Sequence, residues 1–281
     1  MTQSTPQTPE QDMEIAQTAL AANDLPHAVH HIAWALQADP QNPRALDILK
    51  RIIAAAPDPT TLAPLKSPMS SAEAAVHAYI CAQQGDYNTA LQVIGQVNTA
   101  LPDGRFLPWA AEWLANPTAK DAPLAAVLTL LVELGRLYRG DTIADPQVRG
   151  RVSSVVDAVT GYVEAREEPS LDLTMSLLLR KIGRFEEALA KAQKAYDLSL
   201  SAHALVAAAY AQRAMQQTEA ALESFQKALE IDPDFTEIHK DVGDLLVSLG
   251  RDSEGALAYG KVLDKYPDDA WAAPSYYFYQ F

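Results

Sequence analysis

Apolar and small residues recur at steps of three and four through most of the 281-residue chain, the spacing that lines side chains along one stripe of a helix. Ala221, Phe225 and Ala228 are a clear case. Near the C-terminus three stretches carry the same stripe: GRFEEALAKAQKAYDLS, QQTEAALESFQKALEIDP and GRDSEGALAYGKVLDKYP. Ala195, Ala228 and Val262 occupy equivalent places in them, 33 and then 34 residues apart. Pro233 and Pro267 follow the second helix of their units, where a ring without an N–H stops a helix. The stripe returns upstream in NDLPHAVHHIAWALQADP, with Ala28, Ile32, Ala35 and Pro40. It returns again in GDYNTALQVIGQVNTALP, with Gly85, Ala90, Ile94, Val97 and Pro102. Residues 43–56 form an amphipathic helix whose expected partner is missing, and a Pro-rich connection follows. Ser70 and Glu73 have the spacing of a capping box opening the next helix.

This pattern resembles the tetratricopeptide repeat, two antiparallel helices per roughly 34 residues with small residues where they cross. The third C-terminal unit matches best, with Gly243, Leu246, Gly250, Gly255, Tyr259, Val262 and Pro267. The first has Ser176, Leu179, Gly183, Ala188 and Ala195 but Leu200 in place of the proline. The middle unit has Gln212 where the pattern prefers an aromatic and Gln216 where it prefers a turn glycine. The resemblance implies an all-α fold, a right-handed superhelical α-solenoid of antiparallel helix pairs. The expected organisation is a disordered lead-in over 1–11 and tetratricopeptide-like pairs over 12–102. Divergent helix pairs continuing the stack follow over 103–168, then three repeats over 169–267. An aromatic cap, or the start of a further segment, occupies 268–281.

A formal charge of −14 and a pI near 4.8 argue against nucleic acid and against anionic membrane surfaces, both of which attract clustered Lys and Arg. Cys81 is the single cysteine, so the chain can form no internal disulfide and no thiolate cluster. That fits a cytoplasmic setting, as does an N-terminus without a basic start or apolar run. The most apolar stretch, Ala122 to Val132, is too short to span a bilayer, which takes about 20 residues.

Catalytic signatures are absent: no Gly-rich phosphate loop, no HExxH, no Cys-x-x-Cys and no Gly-x-Ser-x-Gly. The chain therefore reads as non-enzymatic, with no cofactor. His27 and His31 lie one turn apart and could share a metal. However, the buried stripe Ala28, Ile32 and Ala35 turns them outward, and no third ligand is evident, so they read as a solvated face without a metal. Cys81 reads as a packing thiol, and Trp109 and Trp113, one turn apart, as a core stripe. Arg136, Arg139, Arg149 and Arg151 read as a surface ion-pair cluster with Asp141 and Asp145, and the Arg-Gly-Asp at 139–141 as a chance tripeptide.

In the family this chain resembles, the first helix of each pair lines a concave surface where peptides lie. The resemblance places Leu177, Arg180, Val206, Tyr210 and Arg213 on that surface, with Tyr79 equivalent to Tyr210 in an earlier repeat. Arg180 and Arg213 would form a column suited to a protein or peptide offering a carboxylate and apolar side chains. The family's carboxylate clamp uses Asn where this chain has Leu177, Tyr210 and Asp244, which argues against chaperone-tail recognition. Asp244 could instead neutralise Arg213. Five of the last six residues are aromatic. Fully exposed, they would exceed the roughly 300–600 Å² apolar patch of an ordinary monomer, since each ring can bury about 150–250 Å². Trp271, Tyr276, Tyr277, Phe278, Tyr279 and Phe281 are thus expected to cap the last repeat, to dock into another subunit or partner, or to lead into a further domain. The expected function is a scaffold holding a protein or peptide. The alternative is the N-terminal repeat region of a larger enzyme, such as a bacterial glycosyltransferase.

Overall fold

A computed structural model describes residues 7–63, 70–116, 121–138, 140 and 142–280. Most of the proposed lead-in (1–6), the middle of the Pro-rich connection (64–69), Arg139, Asp141 and Phe281 lie outside the described residues. Among those described there are fifteen α-helices, one 3-10 turn at Pro59–Thr61 and no strand. The chain divides into two compact units, residues 1–165 and 166–281.

The first unit opens with α1 (Pro9–Ala21), α2 (Leu25–Ala38) and α3 (Pro43–Ala55), followed by α4 (Ser71–Gln83) and α5 (Tyr87–Ala100). Helix α1 starts inside the stretch expected to be disordered. Thr8 and Gln11 close a capping box there, each side chain meeting the other's backbone N–H. Ser70 and Glu73 do the same for α4. Helices α1 and α2 form a hairpin, as do α4 and α5, while α3 packs on α2 and α1.

Next come α6 (Leu107–Ala115), α7 (Leu124–Leu137) and α8 (Pro146–Glu164). The sequence suggests that these continue the stack as pairs, but α7 packs on α5 and α8 on α6. Long connections let each helix return to one two places earlier. Polar ties hold the return: Asn98 of α5 hydrogen bonds with the Tyr138 hydroxyl (3.3 Å), and Tyr162 of α8 donates to the Ala122 carbonyl (2.9 Å).

The second unit is regular. Helices α9 (Pro169–Lys181) and α10 (Phe185–Ser199), α11 (Ala202–Ala214) and α12 (Thr218–Ile231), and α13 (Thr236–Ser248) and α14 (Asp252–Lys265) form three successive hairpins, closed by α15 (Ala272–Tyr279). Phe225, Ala221 and Ala228 sit at the centre of its core with Ile238, Leu245 and Leu246. Helices α13 and α14 cross closely. A Cβ on Gly243 would stand 2.6 Å from the Tyr259 ring, and one on Gly255 would stand 2.7 Å from Val247.

One turn joins the helices of all five hairpins. Asn23, Gly85, Gly183, Gln216 and Gly250 take positive φ, between 59° and 87°. In each, the following residue's N–H reaches the carbonyl five residues back, as from Arg184 to Leu179 and from Gln217 to Gln212. This is the Schellman stop, in which a left-handed residue satisfies the last helical carbonyls. The residue after it opens the next helix. Asp24 and Asp86 accept the N–H of His27 and Thr89, whereas Arg184 and Arg251 grip Glu187 and Glu254 with paired hydrogen bonds. Leu200, in the place where the other units have proline, ends α10 by turning left-handed at φ 49°.

Candidate functional site

The first helices α9, α11 and α13 carry the predicted surface of the second unit. Positions three apart share a helix face, so Leu177 and Arg180 stand together on α9, and Tyr210 and Arg213 on α11. The structure gathers both arginines around one ring. The guanidinium carbon of Arg180 lies 5.2 Å from the Tyr210 ring centroid and that of Arg213 lies 4.9 Å from it, within the range of cation–π attraction. Tyr210 also meets Phe225 edge to face at 5.3 Å.

Asp241 of α13 completes the group. Its Oδ2 accepts the Tyr210 hydroxyl at 2.7 Å and its Oδ1 accepts Arg213 Nη1 at 2.5 Å. Burial first, and then the Asp241 carboxylate, push the Tyr210 phenol well above its ordinary range, so the hydroxyl stays a donor. The partner expected for Arg213 was Asp244, one turn further along α13. Asp244 instead accepts the Tyr259 hydroxyl (2.6 Å) and the Trp271 indole N–H (3.1 Å). The sequence does not single out Asp241, because a spacing of three offers two acidic candidates on one helix, and only the side-chain contacts from α11 choose between them.

Two predicted positions fall inside the core. Tyr79 is 3% exposed and packs against Trp109 and Trp113, with ring centroids 5.0 and 6.4 Å away. Val206 is 8% exposed and belongs to the core of the second unit. Leu177, Arg180, Tyr210 and Arg213 are partly exposed.

The aromatic end splits into two faces. Tyr276 and Tyr279 of α15 pack on Tyr259, Val262 and Ala272, covering part of the last hairpin. Trp271, Tyr277 and Phe278 remain 58%, 64% and 76% exposed. Asp269 fastens the start of α15: its Oδ1 accepts the N–H of Trp271 and Ala272, and its Oδ2 accepts Lys240 Nζ of α13 at 2.8 Å. The Lys240 ammonium, with these two amides, holds the Asp269 carboxyl down to about 2.

The remaining candidates are placed as follows. Cys81 is buried, and its thiol lies 3.4 Å from His77 Nε2. Burial and then the Asp86 carboxylate push its pKa up, the opposite of what activates a thiol. Trp109 is buried and donates to the Pro40 carbonyl at 2.9 Å. Of the arginine-rich stretch, Arg139 and Asp141 lie outside the described residues. Arg136 meets Glu133, Arg151 donates to the Asp103 carbonyl, and Asp145 accepts backbone N–H groups at the start of α8. No helix among the described residues is long and apolar enough to cross a membrane.

Against known proteins, residues 202–235 match the tetratricopeptide repeat family model. No curated protein matches the chain. Among solved structures, MamA aligns at TM-score 0.43 and 17% identity, covering 69% of this chain and 96% of its own. TTC0263, described as a thermophilic tetratricopeptide protein of Thermus thermophilus, aligns at 0.40 and 16%, covering 85% and 100%. YrrB, described as a tetratricopeptide protein with an unusual peptide-binding site, aligns at 0.44 and 16%, covering 78% and 98%. The matched residues span α11, its Schellman turn and α12, flanked on either side by hairpins of the same build, and over this stretch the chain is similar to a tetratricopeptide repeat.

Proposed function

We propose that the chain is a non-enzymatic scaffold that holds a protein or peptide, acting in the cytoplasm. Its contact surface is the first-helix face of residues 166–281. The observation that carries this reading is the Arg180–Tyr210–Arg213–Asp241 group, a partly buried tyrosine flanked by two guanidiniums beside Leu177. Arginine and tyrosine dominate the energetics of binding surfaces because they join large contact area to directional hydrogen bonds. A carboxylate arriving here would meet the two guanidiniums that stand over the Tyr210 ring. Arg213 already shares Asp241, so it would contribute only by dividing its donors. That ion pair is partly buried, with Asp241 19% exposed, so a partner's carboxylate would have to compete with it for the Arg213 donors. Tyr79 and Val206 add no contact, since both are core residues.

The test is affinity capture from the native lysate with wild type, Arg180→Glu, and the Arg180→Glu/Arg213→Glu double variant, each checked for an unchanged helical spectrum and melting temperature. The proposal expects a specific protein on wild type, weakened by the single reversal and lost with the double one. Equal retention by all three baits would make the arginine pair structural and remove this face as the contact surface.

A further inference from the structure

We propose that His27 and His31 form a two-imidazole binding site for a nitrogen-preferring divalent transition ion, Cu²⁺ or Zn²⁺, on the α1–α2 hairpin. Their Nε2 atoms face each other at 3.1 Å. Two metal–nitrogen bonds of about 2.0–2.1 Å, meeting at a right or tetrahedral angle, set their nitrogens roughly 2.9–3.4 Å apart. The two rings therefore already stand at a chelating separation.

The far nitrogens are backed by carboxylates. His31 Nδ1 lies 2.8 Å from Asp12 Oδ1, and His27 Nδ1 lies 3.6 Å from Asp24 Oδ2. An ionised carboxylate can only accept, so His31 carries its hydrogen on Nδ1 and turns a lone pair from Nε2 toward its neighbour. His27 then donates from Nε2 across the gap. An ion entering there takes the place of that hydrogen, which moves to His27 Nδ1 beside Asp24. At His31 the arrangement is the carboxylate–histidine–metal relay that orients a ligand and raises its basicity.

Burial distinguishes this pair from a free helix face. The sequence places both histidines outward, yet the His31 and Asp12 side chains are only 12% and 8% exposed, which holds one ligand rigid. His27 is 52% exposed and leaves the ion open to solvent. No group of three ligating side chains exists among the described residues, so water completes the coordination. Imidazole suits copper, zinc and nickel, with copper bound most tightly. His30 turns instead toward α4, with its Nδ1 3.0 Å from Glu73 Oε1, and it meets His31 ring edge to ring face at 5.4 Å rather than nitrogen to nitrogen.

The experiment titrates the full chain, free of any histidine tag, with Zn²⁺ and with Cu²⁺ by calorimetry. One ion per chain with half-saturation below about 100 µM is expected. His27→Ala, an exposed substitution that leaves the core untouched, should weaken it at least about 10-fold. Asp12→Asn should weaken it about 10–100-fold through His31, and His30→Ala should leave it unchanged. No saturable binding of either ion, or binding that survives His27→Ala, overturns the proposal.

Discussion

At the scale of single residues, two positions in the second unit pull stability in opposite directions. Gln216 holds the left-handed place that Gly183 and Gly250 hold in the hairpins before and after it. A left-handed backbone costs an ordinary L-residue about 1–2 kcal/mol. Gln216→Gly should therefore stabilise the chain by about 1 kcal/mol, less the extra entropy a glycine loses on folding. Gly243 invites the reverse substitution and should punish it. Glycine to alanine inside a helix ordinarily gains about 1 kcal/mol, but here the new methyl would meet three atoms of the Tyr259 ring at under 3.0 Å. Tyr259 is buried and tied to Asp244 through its hydroxyl, so its ring cannot step aside. Overpacking of this kind costs about 1–3 kcal/mol, and Gly243→Ala should come out destabilising. Urea denaturation of both variants beside wild type measures the two signs together. The glycine at 250 was readable in the sequence as a turn. Asn23 performs the same turn but lacks the glycine signal, and only its positive φ reveals it.

At the scale of elements, α15 closes the last hairpin, and Asp269 ties its first turn to α13. The sign of its pH dependence follows from the direction of the shift. The folded carboxyl sits at about 2, below its ordinary value of 3.8, so its contribution is complete above the ordinary value and is lost as pH falls toward about 2. Peptic cleavage at Tyr276–Phe278 should accordingly accelerate across that window in wild type. Asp269→Asn should be cleaved readily throughout, and the two should converge at the acid end. Equal rates near the upper end of the window would show that α15 is held without this carboxylate. Element boundaries were legible wherever a stop carries a chemical mark: Pro233, Pro267, Gly183, the Ser70–Glu73 box. Residues 107–164 carry no such repeat marks. Their apolar periodicity predicts helices correctly, but a stripe does not say which helix it will cover, and α7 and α8 each skip one neighbour.

At the scale of the whole molecule, each of the two units has its own buried helices, and the second repeats one construction three times. A stack of this kind gains its stability from intrinsic repeat terms and nearest-neighbour packing. Residues 166–281 expressed alone should therefore give a helical spectrum and a cooperative thermal transition, and a non-cooperative melt would show that three hairpins and α15 do not suffice. The second unit was legible in advance because its packing is local: each helix meets its partner within about 34 residues, so periodicity and contact coincide there. The candidate site was legible only in part. Equivalence between repeats brought Arg180, Tyr210 and Arg213 onto one face, but it could not tell a lining residue from a core one, as Tyr79 and Val206 demonstrate. The indole of Trp271 is more than half exposed and hydrogen bonded to Asp244, while Trp34, Trp109 and Trp113, the other three tryptophans, all belong to the first unit. The chain thus carries a natural fluorophore for each unit. Replacing Trp271 by Phe leaves tryptophan emission, excited selectively over tyrosine, that comes from residues 1–165 alone, and its difference from wild type follows residues 166–281 without any added label.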